Sequence, residues 1–196
     1  MAELPSPTPS LPELWLVRHG ATEWSVAGRH TGRTDVPLTG LGRSQARAVG
    51  RLLRDERFNR VITSPLARAA VTARLAGFPG AEPVGDLVEW DYGDVEGRTT
   101  AEIREERPGW TIWADGAPNA ESSDDVGARV DRVISSARAA SGPTLIFAHA
   151  HVLRILAARW LGLPAADGRL FILGTGAISV LGWERETPVI VRWNAR

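Results

Sequence analysis

Two apolar runs in this chain end abruptly in histidine. Leu14-Trp15-Leu16-Val17 breaks off at Arg18-His19-Gly20, and Thr144-Leu145-Ile146-Phe147-Ala148 breaks off at His149-Ala150-His151. A third run, Val61-Ile62-Thr63, leads through Ser64-Pro65 to Arg68. If all three are strands of one parallel sheet, their C-terminal ends converge on the rim where open α/β sheets hold ligands. Two imidazoles and two guanidiniums around one small volume suit a phosphate, because guanidinium forks match its oxygens in pairs and helix starts add N–H donors. Neutral His19 could attack phosphorus through one ring nitrogen while the other donates to a backbone carbonyl, giving a phosphohistidine. Glu89 is the candidate to protonate a leaving alcohol and later to take a proton from water.

The elements that must position these groups follow from periodicity and punctuation. Ser25 to Pro37 reads as a loop. Thr39 caps a helix over 40–56 with Leu41, Ala48, Leu52 and Leu53 on one face, and a second helix, 66–76, carries Arg68 on its first turn. Strands separated by a helix of this length predict a βαβ unit and a mostly parallel sheet. A short segment, 84–88, precedes the acidic turn Glu89 through Gly97. Thr99 and Glu102 have the spacing of a capping box on a helix that ends near Pro108. Residues 110–119 form an aromatic connection, and 123–140 and 152–161 are helical. Strands 178–183 and 189–193 pair as a hairpin at the sheet edge. There is no internal repeat, and residues 14–196 read as one domain.

The chain has 196 residues, of which 43% are hydrophobic and 23% charged, as in globular proteins. Its 23 basic and 23 acidic residues cancel without blocks of like charge, which argues against nucleic acid and anionic membranes as partners. All the basic residues are arginine. The absence of cysteine excludes disulfides, thiolate metal sites and cysteine nucleophiles. No segment is apolar over the ~20 residues of a membrane span. Met1 to Glu13, with four prolines and neither basic nor apolar core, reads as an extended, disordered tail rather than a signal peptide. A cytoplasmic enzyme, as a monomer or homo-oligomer, fits this composition.

Leu16-Val17-Arg18-His19-Gly20-Ala21-Thr22-Glu23-Trp24 resembles the signature of the histidine phosphatase superfamily, the phosphoglycerate-mutase-like group. Thr31 to Thr39, Thr63 to Ala69, Glu89 to Gly97 and Phe147 to His149 resemble its further motifs in the same order, so the likeness covers roughly residues 14–183. It implies a three-layer α/β/α fold with a mostly parallel sheet and phosphoryl transfer that needs no metal or other cofactor. Arg18, Arg68 and His149 would bind the phosphate, with His19 as nucleophile and Glu89 as acid and base. Ser25, Thr31, Gly32 and Ala150 would complete the pocket. Ser25 stands where many members have Asn, and Ala150 where many have Gly. The mutases of the group carry a lysine near the position of Thr100 and an arginine pair on a longer insertion. Lacking both, the chain is closer to a phosphatase of small phosphorylated metabolites. It resembles sedoheptulose-bisphosphatase-like enzymes and actinobacterial acid phosphatases, with a mutase as the alternative and a silent phosphate-binding module as a third reading.

Other residues admit two readings. His151 either pairs with His149 on a metal or begins a helix; with no thiolate present, the helix is preferred. His30 either leans over the pocket or is a solvated loop residue. Tyr92 bonds substrate or packs, with substrate preferred. Arg33 and Arg98 either reach a second phosphate or are surface cations. Trp15, Trp160 and Trp183 read as core, and Trp90, Trp110 and Trp113 as an apolar lid. Glu121 contacts that lid or caps the following helix.

Overall fold

The computed structural model describes residues 11–196. In chain order it comprises β1 (Leu14–Arg18), α1 (Glu23–Val26), α2 (Gly40–Leu52), β2 (Arg60–Thr63), α3 (Ala67–Leu75), β3 (Glu82–Pro83), α4 (Thr100–Glu106), α5 (Ile112–Asp115), α6 (Ser123–Arg138), β4 (Thr144–Ala148), α7 (Ala150–Trp160), β5 (Ile178–Glu184) and β6 (Thr187–Ala195). One six-stranded sheet runs in the order β3-β2-β4-β1-β5-β6. The first four strands are mutually parallel, and β5 and β6 close one edge as the antiparallel hairpin.

Alternation along the central strands divides the core between two faces. Leu14, Leu16 and Ile146 point to the layer formed by α6 and α7, while Trp15, Val17, Leu145 and Phe147 point to α2 and α3. Both faces are covered, which is why β1 and β4 read as unbroken apolar runs. The fold is the three-layer α/β/α sandwich with a mostly parallel sheet.

Three expectations need correction. Helix α2 stops at Leu52 and buries Gly42, Ala46, Val49 and the capping Leu53, leaving Leu41 and Leu52 exposed. Small residues win that face because the helix lies against the turn leaving β1. A Cβ on Gly20 would overlap the Gly42 carbonyl, and one on Gly42 would overlap the Ala21 backbone. Trp90 and Trp110 are core residues, their indole N–H groups bonded to the Glu121 and Gly116 carbonyls at 2.8 Å, so they form no lid. Of the predicted tail, residues 1–10 lie outside the described part, but Pro12 and Glu13 belong to the domain. Their carbonyls accept from Trp183 Nε1 and from the Thr144 amide, both at 3.0 Å.

Overpacking at the turn should show in stability. Gly42→Ala is expected to cost about 1–3 kcal/mol in urea unfolding, and an unchanged midpoint would contradict the tight approach of α2 to β1.

Candidate active site

Strands β1 and β4 are parallel neighbours with Arg18 opposite Ala148, so the residues just beyond them emerge together. The His19 amide donates to the Ala148 carbonyl at 2.9 Å, and the rings of His19 and His149 lie 5.2 Å apart. On the far side of β4, Ser64 leaves β2 and donates its amide to the Phe147 carbonyl, which sets α3 and Arg68 beside His149.

Each imidazole is fixed in one tautomer. His19 Nδ1 is 2.7 Å from the Gly20 carbonyl, so Nδ1 carries the proton and Nε2 keeps its lone pair. His149 Nδ1 accepts from Arg68 Nε at 3.1 Å, and its Nε2–H donates to Ser64 Oγ at 2.8 Å. Burial, reinforced for His19 by Arg18 and Arg68 and for His149 by Arg68, holds both rings well below the ordinary imidazole pKa of 6.5, hence neutral.

Arg68 is 1% exposed and spends its donors on the chain itself. It bonds the carbonyls of Thr31, Gly32 and Thr34 at 2.8–3.1 Å. The amides of Gly32 and Thr34 meanwhile donate to the Glu96 carboxylate, and Asp35 accepts from the Ala67 amide at the start of α3. The loop at 31–35 is thus held from both sides, by a buried cation on its carbonyls and a carboxylate on its amides.

Glu89 is held by the first turn of α7. Its Oε1 accepts from the Val152 amide at 2.9 Å and the Trp90 amide at 3.0 Å, and its Oε2 from the His151 amide at 3.1 Å. The loop beneath it is clamped by Arg129 of α6, only 7% exposed, which donates to the carbonyls of Asp86, Val88 and Glu89 and pairs with Glu121 at 3.0 Å. Glu121 also accepts from the Asp91 amide. Its main-chain carbonyl accepts from Trp90, one of the tryptophans it was expected to contact, and the cap of α6 is Ser122.

A cavity of about 450 Å³ opens over this arrangement. Arg18, His19, Ser25, Thr31, Glu89, Tyr92 and Ala150 line it as expected. Gly32, Arg68 and His149 do not. They stand behind the wall, and the Gly32 N–H is committed to Glu96. The Ser25 hydroxyl is occupied in a capping box with Thr22, and the Tyr92 hydroxyl is bonded to His151 within an otherwise buried side chain. Arg18 Nη1 donates to the Leu173 carbonyl at 2.6 Å, while its Nε is buried without a partner among the described residues. His30, Thr100, Trp113 and His151 also face the cavity. His151 lies in the first turn of α7, so it shares no strand face with His149. Among the described residues no three His, Cys, Asp or Glu side chains gather to hold a metal, and no helix is long and apolar enough to cross a membrane.

Arg33 and Arg98 lie outside the cavity, paired with Asp91 and Glu106. Sequence reasoning passed over three arginines that do reach it, Arg29, Arg104 and Arg154, of which Arg29 is paired with Glu102. Arg104 follows Thr100 by four residues on α4, and Arg154 follows Ala150 by four on α7, so helical spacing from a recognised pocket residue was the available signal. Arg154 stacks over Trp113 at 4.7 Å, and both guanidiniums bond only carbonyls, with no carboxylate partner among the described residues.

Residues 14–196 match the Histidine phosphatase superfamily (branch 1). The chain belongs to that superfamily. It is 43% identical over 175 residues to an acid phosphatase of Mycobacterium tuberculosis, covering 87% of this chain and 86% of that one. It is 37% identical to sedoheptulose 1,7-bisphosphatase of Saccharomyces cerevisiae, covering 79% and 70%. A mycobacterial glucosyl-3-phosphoglycerate phosphatase structure superposes with a TM-score of 0.85 at 28% identity, covering 94% of this chain and all of that one. As a histidine phosphatase with relatives of this kind, the chain is a phosphoric monoester hydrolase.

The Arg129 clamp can be tested directly. Arg129→Leu strands Glu121 and three loop carbonyls and is expected to lower unfolding free energy by about 3 kcal/mol. A loss in urea titration below about 1 kcal/mol would mean that other contacts hold the loop.

Proposed function

We propose that the chain hydrolyses phosphomonoesters of small metabolites through a phosphohistidine at His19, without a metal ion. The observation that carries this is His19 itself: Nδ1–H is tied to Gly20, Nε2 keeps its lone pair, and Arg18 stands beside it with a buried Nε that has no partner among the described residues. Nε2 attacks phosphorus, the P–O bond to the alcohol breaks, and protonated Glu89 gives the leaving oxygen its proton. Glu89 then takes a proton from water, whose oxygen attacks the phosphohistidine and releases phosphate and neutral His19. Arg18 binds the phosphate oxygens, while Arg68 and His149 act from behind the wall. The same arginines that keep His19 neutral attract the anionic ester, so the nucleophile survives into mildly acidic solution.

Arg104 and Arg154 also line the cavity, and among the described residues their guanidiniums bond only carbonyls. They favour a substrate with a second anionic group, a sugar bisphosphate in the first instance. The resemblance to a bisphosphatase supports that choice. A mutase would instead interconvert 2- and 3-phosphoglycerate without net phosphate release.

His19→Ala should lower phosphate release at least about 10³-fold in the presence of chelator; near-wild-type release from this variant would sink the phosphohistidine route. Glu89→Gln should slow glycerol 3-phosphate far more than nitrophenyl phosphate, whose leaving group needs little protonation, and equal losses would remove Glu89 as the acid. Arg104→Ala and Arg154→Ala are each expected to raise KM for fructose 1,6-bisphosphate about tenfold more than for fructose 6-phosphate. Parallel changes in the two KM values would remove the second anion from the reading.

A further inference from the structure

We infer that His151 is a specificity-determining residue: its Nε2–H donates a hydrogen bond to a hydroxyl or ether oxygen of the substrate's carbon chain, in a tautomer locked by Tyr92. This deepens the phosphatase reading and rests on it.

The geometry begins at the Tyr92 hydroxyl, 2.6 Å from His151 Nδ1. Tyr92 is 1% exposed, and its phenol makes no other hydrogen bond among the described residues. If Nδ1 carried the imidazole proton, the phenolic hydrogen would be buried with nowhere to go, at the full desolvation cost of an unpaired donor. The phenol therefore donates, Nδ1 accepts, and the proton of a neutral His151 lies on Nε2. Neutrality follows from burial, to which Arg154 and His30 add positive potential, holding the ring well below 6.5. Burial first, and then Glu89 and Glu96, push the Tyr92 phenol well above 10, so it keeps the proton that it donates.

The ring has little freedom to turn. Trp113 lies against it at 5.0 Å, and Trp90 and Tyr92 meet it nearly edge-on at 6.0 and 5.7 Å. The His151 backbone N–H is bonded to Glu89 Oε2, which places the residue beside the group assigned to the leaving oxygen. Nε2 has no partner among the described residues, and His151 lines the cavity. The result is a rigid, uncharged donor beside Arg18, Arg104 and Arg154, in a cavity that Ser25, His30 and Thr100 also line. Arginines select for anions, whereas a neutral N–H selects for a neutral oxygen. The pocket thus distinguishes polyol and sugar phosphates from alkyl phosphates of the same length, since a substrate lacking the oxygen leaves a buried donor unpaired.

Glycerol 3-phosphate and n-propyl phosphate share chain length and differ in the two hydroxyls, so the ratio of their kcat/KM values reads this contact. The wild-type ratio should favour glycerol 3-phosphate, and His151→Leu should lower it about tenfold. His151→Gln, whose amide nitrogen reaches near the Nε2 position, should restore most of the ratio, and Tyr92→Phe should lower it by releasing the tautomer. In ¹⁵N NMR of the wild-type protein, His151 should show a protonated Nε2, and this signature should weaken in Tyr92→Phe. A merely structural role would slow both esters alike, so an unchanged ratio in His151→Leu overturns the inference, as does a wild-type His151 protonated at Nδ1. Absence of phosphate release from either ester by the wild-type protein would instead count against the phosphatase reading beneath it.

Discussion

A guanidinium brought fully out of water must find acceptors for its N–H groups inside the protein, and Arg68 meets that requirement with parts of the chain distant in sequence. Three loop carbonyls, at Thr31, Gly32 and Thr34, and the Nδ1 of His149 close around it. Leaving one of these donors unpaired would cost free energy on the scale of a lost hydrogen bond. The loop at 31–35, the start of α3 and the end of β4 are consequently bound to one another. Glu96 completes the arrangement by taking the loop's amides, and Asp35 by taking an amide of α3. The orientation of His149 thus depends on a cation that does not itself line the cavity.

The Glu89 side of the site is built on a complementary plan. The amides of His151 and Val152 in the first turn of α7 donate to Glu89 and hold its carboxyl group in place. Arg129 fixes the supporting loop by its carbonyls, as Arg68 does for the other loop. Two buried arginines acting on main-chain oxygens hold the two irregular segments that carry chemistry between regular elements. Arginine suits this work because its donors fan out in a plane, and lysine would offer a compact point charge.

A third set of residues lines the cavity from the helices rather than from the strands. Arg104, Trp113, Arg154 and His151 come from α4, α5 and α7 and meet over the cavity. Their packing is mutual: Trp113 supports the Arg154 guanidinium on one hand and the His151 ring on the other. This part of the lining therefore sets two guanidiniums beside an uncharged imidazole.

What the sequence determined by itself was everything that rests on local pattern. Apolar runs that stop at Arg18-His19 and His149 marked strands and their functional ends, because a strand buried on both faces must be apolar until it leaves the sheet. The capping box at Thr99 and the hairpin of β5 and β6 were legible for the same reason. The exposed Leu41 and Leu52 of α2, the core positions of Trp90 and Trp110, and the clamps made by Glu96 and Arg129 were decided only by tertiary structure. A glycine's worth as a packing surface depends on what approaches it, and a buried tryptophan needs an acceptor for its N–H. An arginine's role is set by which oxygens lie within reach. Most of these partners come from residues tens of positions away, as Glu96 does for Gly32 and Asp86 for Arg129, so no local pattern could name them.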